Sequence, residues 1–137
     1  MPVWTNPPIA ETPAFTLVSW AVFEVQLAPG AAVTRHVVGE VGYGGEGQVS
    51  SPVLEFDPVS ACFRTRSGRV YRVRGATGLG MQSDYVWNMW KSTWSREREP
   101  CDVTEEVARE IAQAHGCATY RELLVAWRRA AGARTVR

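Results

Sequence analysis

Ala61-Cys-Phe-Arg-Thr-Arg-Ser-Gly-Arg-Val-Tyr-Arg-Val-Arg74 can fold back on itself in two registers, and the choice decides what the chain buries. With Ser67-Gly68 as a two-residue loop, Arg66 faces Arg69, and each face of the hairpin mixes charge with apolar groups. With Arg66-Ser67-Gly68 as a three-residue loop and Gly68 left-handed, the faces separate, because side chains alternate along a strand with a period of two. Ala61, Phe63, Thr65, Tyr71 and Val73 then line one side, and Cys62, Arg64, Val70, Arg72 and Arg74 the other. The second register is the expected one.

Working upstream, residues 15–27 are rich in β-branched and aromatic side chains without a breaker, which reads as a long strand. Leu17, Ala21, Phe23, Val25 and Leu27 share a parity with Ser19, while Val18, Trp20, Val22, Glu24 and Gln26 form the other face. Both faces are partly apolar, so both are covered for part of the length. Ala28-Pro29-Gly30 turns the chain into a strand over 33–43. The glycine-dense loop 42–47 leads to a third strand over 48–56, and Asp57-Pro58-Val59-Ser60 fits a type I turn. The fold class expected is α+β: a five-stranded antiparallel β-meander curled into a small open barrel, covered by a Trp-rich helix and followed by a C-terminal αα-hairpin.

The covering helix follows Gly78-Leu79-Gly80, with Ser83 as N-cap, Asp84 in its first turn and Trp87, Trp90 and Trp94 at i, i+3 and i+7. Asp102-Val-Thr-Glu105 and Thr119-Tyr-Arg-Glu122 read as capping boxes opening two further helices, the first ending at His115-Gly116. The organisation expected is an extended arm over 1–14 anchored by Trp4, a meander with covering helix over 15–94, a linker over 95–101, and a helical hairpin with a frayed tail over 102–137.

Length and composition narrow the chemistry. The 137 residues suit one domain with a real core, and the broken apolar runs are too short for a membrane span or a secretion signal. Cys62, Cys101 and Cys117 are an odd number without metal-ligand spacing, and only His36 and His115 could join them, so neither disulfides, a metal nor a cofactor is expected, and the compartment is cytoplasmic. Ser50 and Ser51 lack a nucleophile context, and a triad with His36 and Asp57 would be a chance assembly. His36 reads as a satisfied or exposed polar residue and His115 as a helix-end residue. The 42–47 loop joins strands instead of opening a helix, so it is no phosphate cradle.

The net charge of +1 hides a split. Residues 1–59 hold one arginine against six acids, and residues 60–137 hold fourteen bases against eight acids. Arg64, Arg66, Arg69, Arg72 and Arg74 form a strip that could track phosphates, but the weaker-binding reading, a solvated face paired with Glu24, Glu40 or Glu55, fits a nearly neutral chain better. Arginine and tryptophan are also the typical composition of interface hot spots, so the candidate binding residues are these five arginines with Trp20, Trp87, Trp90 and Trp94. The final helical pair only partly fits helix-turn-helix spacing and reads as a packed hairpin.

Val49-Ser-Ser-Pro-Val-Leu-Glu-Phe-Asp57, Thr65-Arg-Ser-Gly-Arg-Val-Tyr71 and Tyr85-Val-Trp87 with Trp90 together resemble a family of small uncharacterised proteins of proteobacterial plasmids, integrative elements and phages, over roughly residues 15–94. The resemblance implies no activity for individual residues. It implies a setting in which small proteins, anti-CRISPR proteins among them, inhibit host defence. The function expected is therefore a non-enzymatic binding protein whose partner is a host protein or ribonucleoprotein such as a CRISPR effector, with no membrane contact and a homodimer left open. The alternative is a nucleic-acid-binding accessory or regulatory protein, with generic nucleic-acid binding expected to be weak.

Overall fold

The computed structural model describes residues 14–94 and 98–135; the remainder of the arm, linker and tail expected above lies outside them. Along the chain run β1 (Ala14–Gln26), β2 (Val33–Val41), β3 (Gly47–Val49), β4 (Val53–Asp57), β5 (Cys62–Thr65), β6 (Val70–Val73), α1 (Met81–Lys91), β7 (Cys101–Asp102), α2 (Thr104–Ala114) and α3 (Tyr120–Thr135). The protein is α+β, with one mixed open sheet in the order β3-β2-β1-β6-β5-β4 and β7 added beside β1.

The β5–β6 hairpin takes the three-residue loop. Cys62 pairs with Arg72, Phe63 with Tyr71 and Arg64 with Val70. Gly68 has φ of 91°, which an L side chain rarely adopts, and its N–H donates to the Thr65 carbonyl at 2.9 Å. Ala61, Phe63, Thr65, Tyr71 and Val73 are all buried. The same register sets Arg69 opposite Thr65, on the inward parity with Tyr71 and Val73.

Five antiparallel strands are not what forms; among the described residues the strands number seven and the sheet is mixed, for two reasons. The third expected strand breaks at Ser50-Ser51-Pro52. Pro52 has no N–H to give a ladder, and the Ser50 hydroxyl accepts the Val37 N–H at 2.9 Å while donating to the Ser51 carbonyl at 2.8 Å. β3 therefore pairs with β2 and β4 with β5. The second reason is β1, whose first residues lie parallel to β6, with Ala14 opposite Val70 and Leu17 opposite Val73. Its register with β2 jumps between Val18 and Ala21, where Ser19 has φ of 47°. This bulge bends the strand and exchanges its faces. Leu17 joins Trp20 and Val22 in one core, whereas Val25 and Phe23 point into another.

β3 and β4 end the strand order on opposite sides yet are only three residues apart in sequence, so the sheet curls until its ends approach. Both edges are poor templates for another chain. β3 is short and lies against α1, while β4 is flanked by Pro52 and Pro58, carries a register shift and presents Glu55 and Asp57.

Different helices cover the two faces. α1 packs Val86 and Trp87 on Val25, Val38 and Val49, with Phe23, Leu27, Trp90 and Trp94 at the margin. α2 and α3 bury Val107, Ala108, Ile111 and Leu123 against Leu17, Trp20, Val22, Phe63 and Tyr71. The C-terminal helices thus share the core of the sheet. Thr104 Oγ1 accepts the Val22 N–H at 3.0 Å, and the Val103 N–H donates to the Val22 carbonyl at 2.9 Å. The Gly75 carbonyl accepts both the Trp20 indole N–H at 3.2 Å and the Tyr120 hydroxyl at 2.7 Å, which pins α3 to the end of β6.

Helix starts differ by small but informative shifts. α2 has Val103 as N-cap, one residue beyond the start that an Asp102 box implies, although the Asp102 carboxylate still accepts the Thr104 N–H at 2.9 Å. For α3 the box forms as Thr119 Oγ1 accepting the Glu122 N–H at 3.2 Å, with the Glu122 carboxylate accepting from Ala118. In α1, Ser83 is not the N-cap. Gly80 is, and Ser83, three residues in, accepts the Gly80 N–H at 2.9 Å. The capping oxygen comes from β2: Glu40 Oε2 accepts the N–H groups of Gln82 and Ser83, both at 3.0 Å.

Glu40 is 4% exposed, and a buried carboxylate survives only where donors replace its water. We expect Glu40→Ala to cost about 3 kcal/mol, since it leaves two helix N–H groups unpaired and removes the charge from the positive end of the helix dipole. Gly80→Ala should destabilise similarly, because a Cβ there falls 2.5 Å from Glu40 Oε2. Urea denaturation of both variants, with an unchanged midpoint as the contrary result, checks this.

Candidate functional site

The five arginines do not form one cationic face. Arg64 is tied to Glu55, Nη2 to Oε1 at 2.7 Å, across the β4–β5 ladder. Arg69 is 4% exposed, with its guanidinium 4.9 Å above the Phe15 ring, so it belongs to the interior and leaves the set of binding candidates. Arg66 stands exposed in the hairpin loop. Arg72 and Arg74 are exposed on the outer parity of β6, and neither makes an ion pair or side-chain hydrogen bond among the described residues.

The tryptophans are mainly core. Trp20 is fully buried and Trp87 nearly so; Trp87 stacks on Phe23 at 4.3 Å and carries Lys91 Nζ 5.5 Å from its ring centre. Trp90 and Trp94 are half-buried, the first between Trp87 and His36. Trp20 and Trp87 are therefore withdrawn as contact residues, because the β1 bulge and the inward face of α1 carry them into the two cores.

What α1 does present is a second apolar stripe. Met81, Tyr85 and Met89, at i, i+4 and i+8, are 84%, 51% and 39% exposed on the side away from Trp87 and Val86. The signal was available in the sequence, since a helix apolar on two faces has one more face than its own core needs. At the N-terminal end of α1, Ser83 and Glu40 adjoin Ser19. Next to them Val18 and Val41, with Thr16, Phe15, Tyr43 and Arg74, line an open groove of about 680 Å³. The β6 arginines and the α1 stripe thus lie on one side of the sheet, the side α1 covers over β1–β3 and leaves open over β4–β6.

The residues weighed for hydrolysis do not assemble. The Asp57 carboxylate caps its own turn, accepting from the Val59 N–H at 3.0 Å and the Ser60 hydroxyl at 2.9 Å. Ser51 donates to the Ser67 hydroxyl at 3.2 Å. His36 is buried, with Nδ1 2.7 Å from the Ser50 carbonyl and Nε2 2.8 Å from Thr34 Oγ1. A carbonyl only accepts, so Nδ1 carries the proton and Nε2 accepts from Thr34. His115 Nε2 bonds the Val59 carbonyl at 2.7 Å. Cys62, Cys101 and Cys117 are free thiols, and no group of three or more His, Cys, Asp or Glu is placed to hold a metal among the described residues. Burial pushes the Tyr120 phenol up to about 12, so it stays a donor to Gly75. No helix of the described residues is long and apolar enough to cross a membrane.

The chain matches no protein-family model, no curated protein and no solved structure.

Burial holds the His36 imidazole below its ordinary value near 6.5; the Ser50 bond opposes this and the Arg66 charge adds to it. A folded-state value below the unfolded one makes His36 contribute fully above about pH 6.5 and lose that contribution as pH falls from there toward the folded-state value. Unfolding free energy should therefore decline between pH 7 and 5.5. In His36→Gln it should start lower and change less over the same interval, and equal slopes for the two proteins would contradict this.

Proposed function

We propose that the chain is a non-enzymatic binding protein of a mobile genetic element that acts by covering a surface of a host protein or ribonucleoprotein. The observation that carries this reading is the open side of the sheet, where Met81, Tyr85 and Met89 stand exposed on α1, and Arg72 and Arg74 stand exposed on the same side without an ion pair among the described residues. Large flexible apolar groups flanked by arginine are the composition of interface cores, and an apolar stripe on a helix whose other face is already packed needs a second partner. In this reading β3 and β4 act as one bent strand, and the sheet is a small open barrel serving as a stiff platform for α1. The protein works in the cytoplasm, where its cysteines stay reduced. The sequence resemblance directs the search to host-defence proteins, with a CRISPR effector as the first to assay.

The nucleic-acid alternative has less support. Arg64 is neutralised by Glu55 and Arg69 faces inward, so the strip offers too few free guanidinium groups to follow a phosphate backbone.

Capture from a proteobacterial host lysate, followed by mass spectrometry, tests the proposal. Wild-type protein should retain a specific partner that Met81→Ser/Tyr85→Ser/Met89→Ser loses, while the thermal midpoint of that variant stays within about 3 °C because the three side chains lie outside both cores. A steeply salt-dependent shift with random-sequence DNA or RNA, or equal capture by the variant, would overturn it.

A further inference from the structure

The groove beside α1 has a chemistry of its own. Val18 and Val41 give it apolar walls, Tyr43 adds aromatic surface, and Thr16 and Arg74 are its polar members. Arg74 has neither an ion pair nor a side-chain hydrogen bond among the described residues, and Arg72 repeats the exposed charge two residues earlier on the same strand face. An anion is therefore the complement. A single guanidinium lining a mainly apolar cleft suits a carboxylate, which it can hold through two parallel N–H···O bonds, better than a phosphate dianion that needs further donors. The apolar walls favour a carboxylate that arrives attached to a hydrocarbon or aromatic body.

We infer that this groove receives an acidic segment of the partner protein in which a carboxylate lies beside an aromatic side chain, the carboxylate on Arg74 and the ring against Tyr43 and Val18. This deepens the protein-binding reading above and rests on it. The commitment to a protein segment follows from the apolar walls, since neither a sugar–phosphate backbone nor a free anion uses them.

The test is a titration of the full chain with N-acetyl-phenylalanine, followed by backbone amide NMR. Saturable shifts are expected at Thr16, Val18, Val41, Tyr43 and Arg74. Affinity should fall about tenfold or more for N-acetyl-phenylalanine amide, which lacks the carboxylate, and for Arg74→Gln, the size expected when a charge-assisted bond is lost. Arg128→Gln, a matched charge change on α3, should leave the binding as it is. Equal affinity for the acid and the amide, the same shifts from inorganic phosphate alone, tighter binding of a short oligothymidine at these residues, or shifts that grow with protein concentration without any probe would each overturn the inference. The last result would identify a second copy as the occupant. Because the probe is small and defined, failure here together with intact lysate capture rejects the groove and leaves the α1 surface standing.

Discussion

A single buried carboxylate oxygen holds the covering helix to the sheet. Glu40 Oε2 accepts from Gln82 N–H, Ser83 N–H and the Ser83 hydroxyl, the last at 3.3 Å. Helix N-termini carry unpaired donors and a partial positive charge, and a carboxylate out of water lacks both donors and counter-charge. Each removes the other's desolvation penalty, so the contact joins β2 to α1 more specifically than apolar packing could. Its geometry demands small neighbours. A Cβ on Gly80 would meet the carboxylate, and one on Gly47, directly across the ladder from Glu40, would fall 2.5 Å from the Gln82 carbonyl.

The orientation of α1 follows from that anchor. With its first turn fixed over Glu40 and its later turns over Val38, Phe23 and His36, Val86, Trp87 and Trp90 have to face the sheet. Met81, Tyr85 and Met89 then stand exposed among the described residues. The exposed stripe is thus a consequence of how the helix is pinned, and the groove beside it is bounded by the same two strands, through Val18 of β1 and Val41 of β2. The other side of the sheet is covered independently by α2 and α3.

The readable parts of this structure were those governed by local periodicity. The separation of faces in the 61–74 hairpin, the Thr119 box and the amphipathic α2 all follow from side-chain alternation or capping chemistry within a few residues. The parts that were not readable depend on distant partners. Nothing near Ser19 announces the bulge that exchanges the faces of β1, and a strict parity reading therefore set Trp20 on the wrong side. The parallel β1–β6 pair joins segments more than fifty residues apart. The Glu40 cap spans 42 residues to Gln82, so Ser83 took the role by proximity that a remote carboxylate performs. Among the candidate contact residues, Arg69 was excluded by the very register that made Arg72 and Arg74 credible. Met81, Tyr85 and Met89 were not legible as exposed because the turn of α1 that faces the sheet is set by the remote Glu40 contact.

Hydrogen exchange at single amides measures the anchor directly. If Glu40 holds α1, the Gln82 and Ser83 amides, which lie in a first helical turn that ordinarily frays, should exchange as slowly as the β2 amides of Val37 and Val38, and should become fast in Glu40→Gln while those β2 amides change little. Rapid exchange of Gln82 and Ser83 in the wild-type protein would contradict the account.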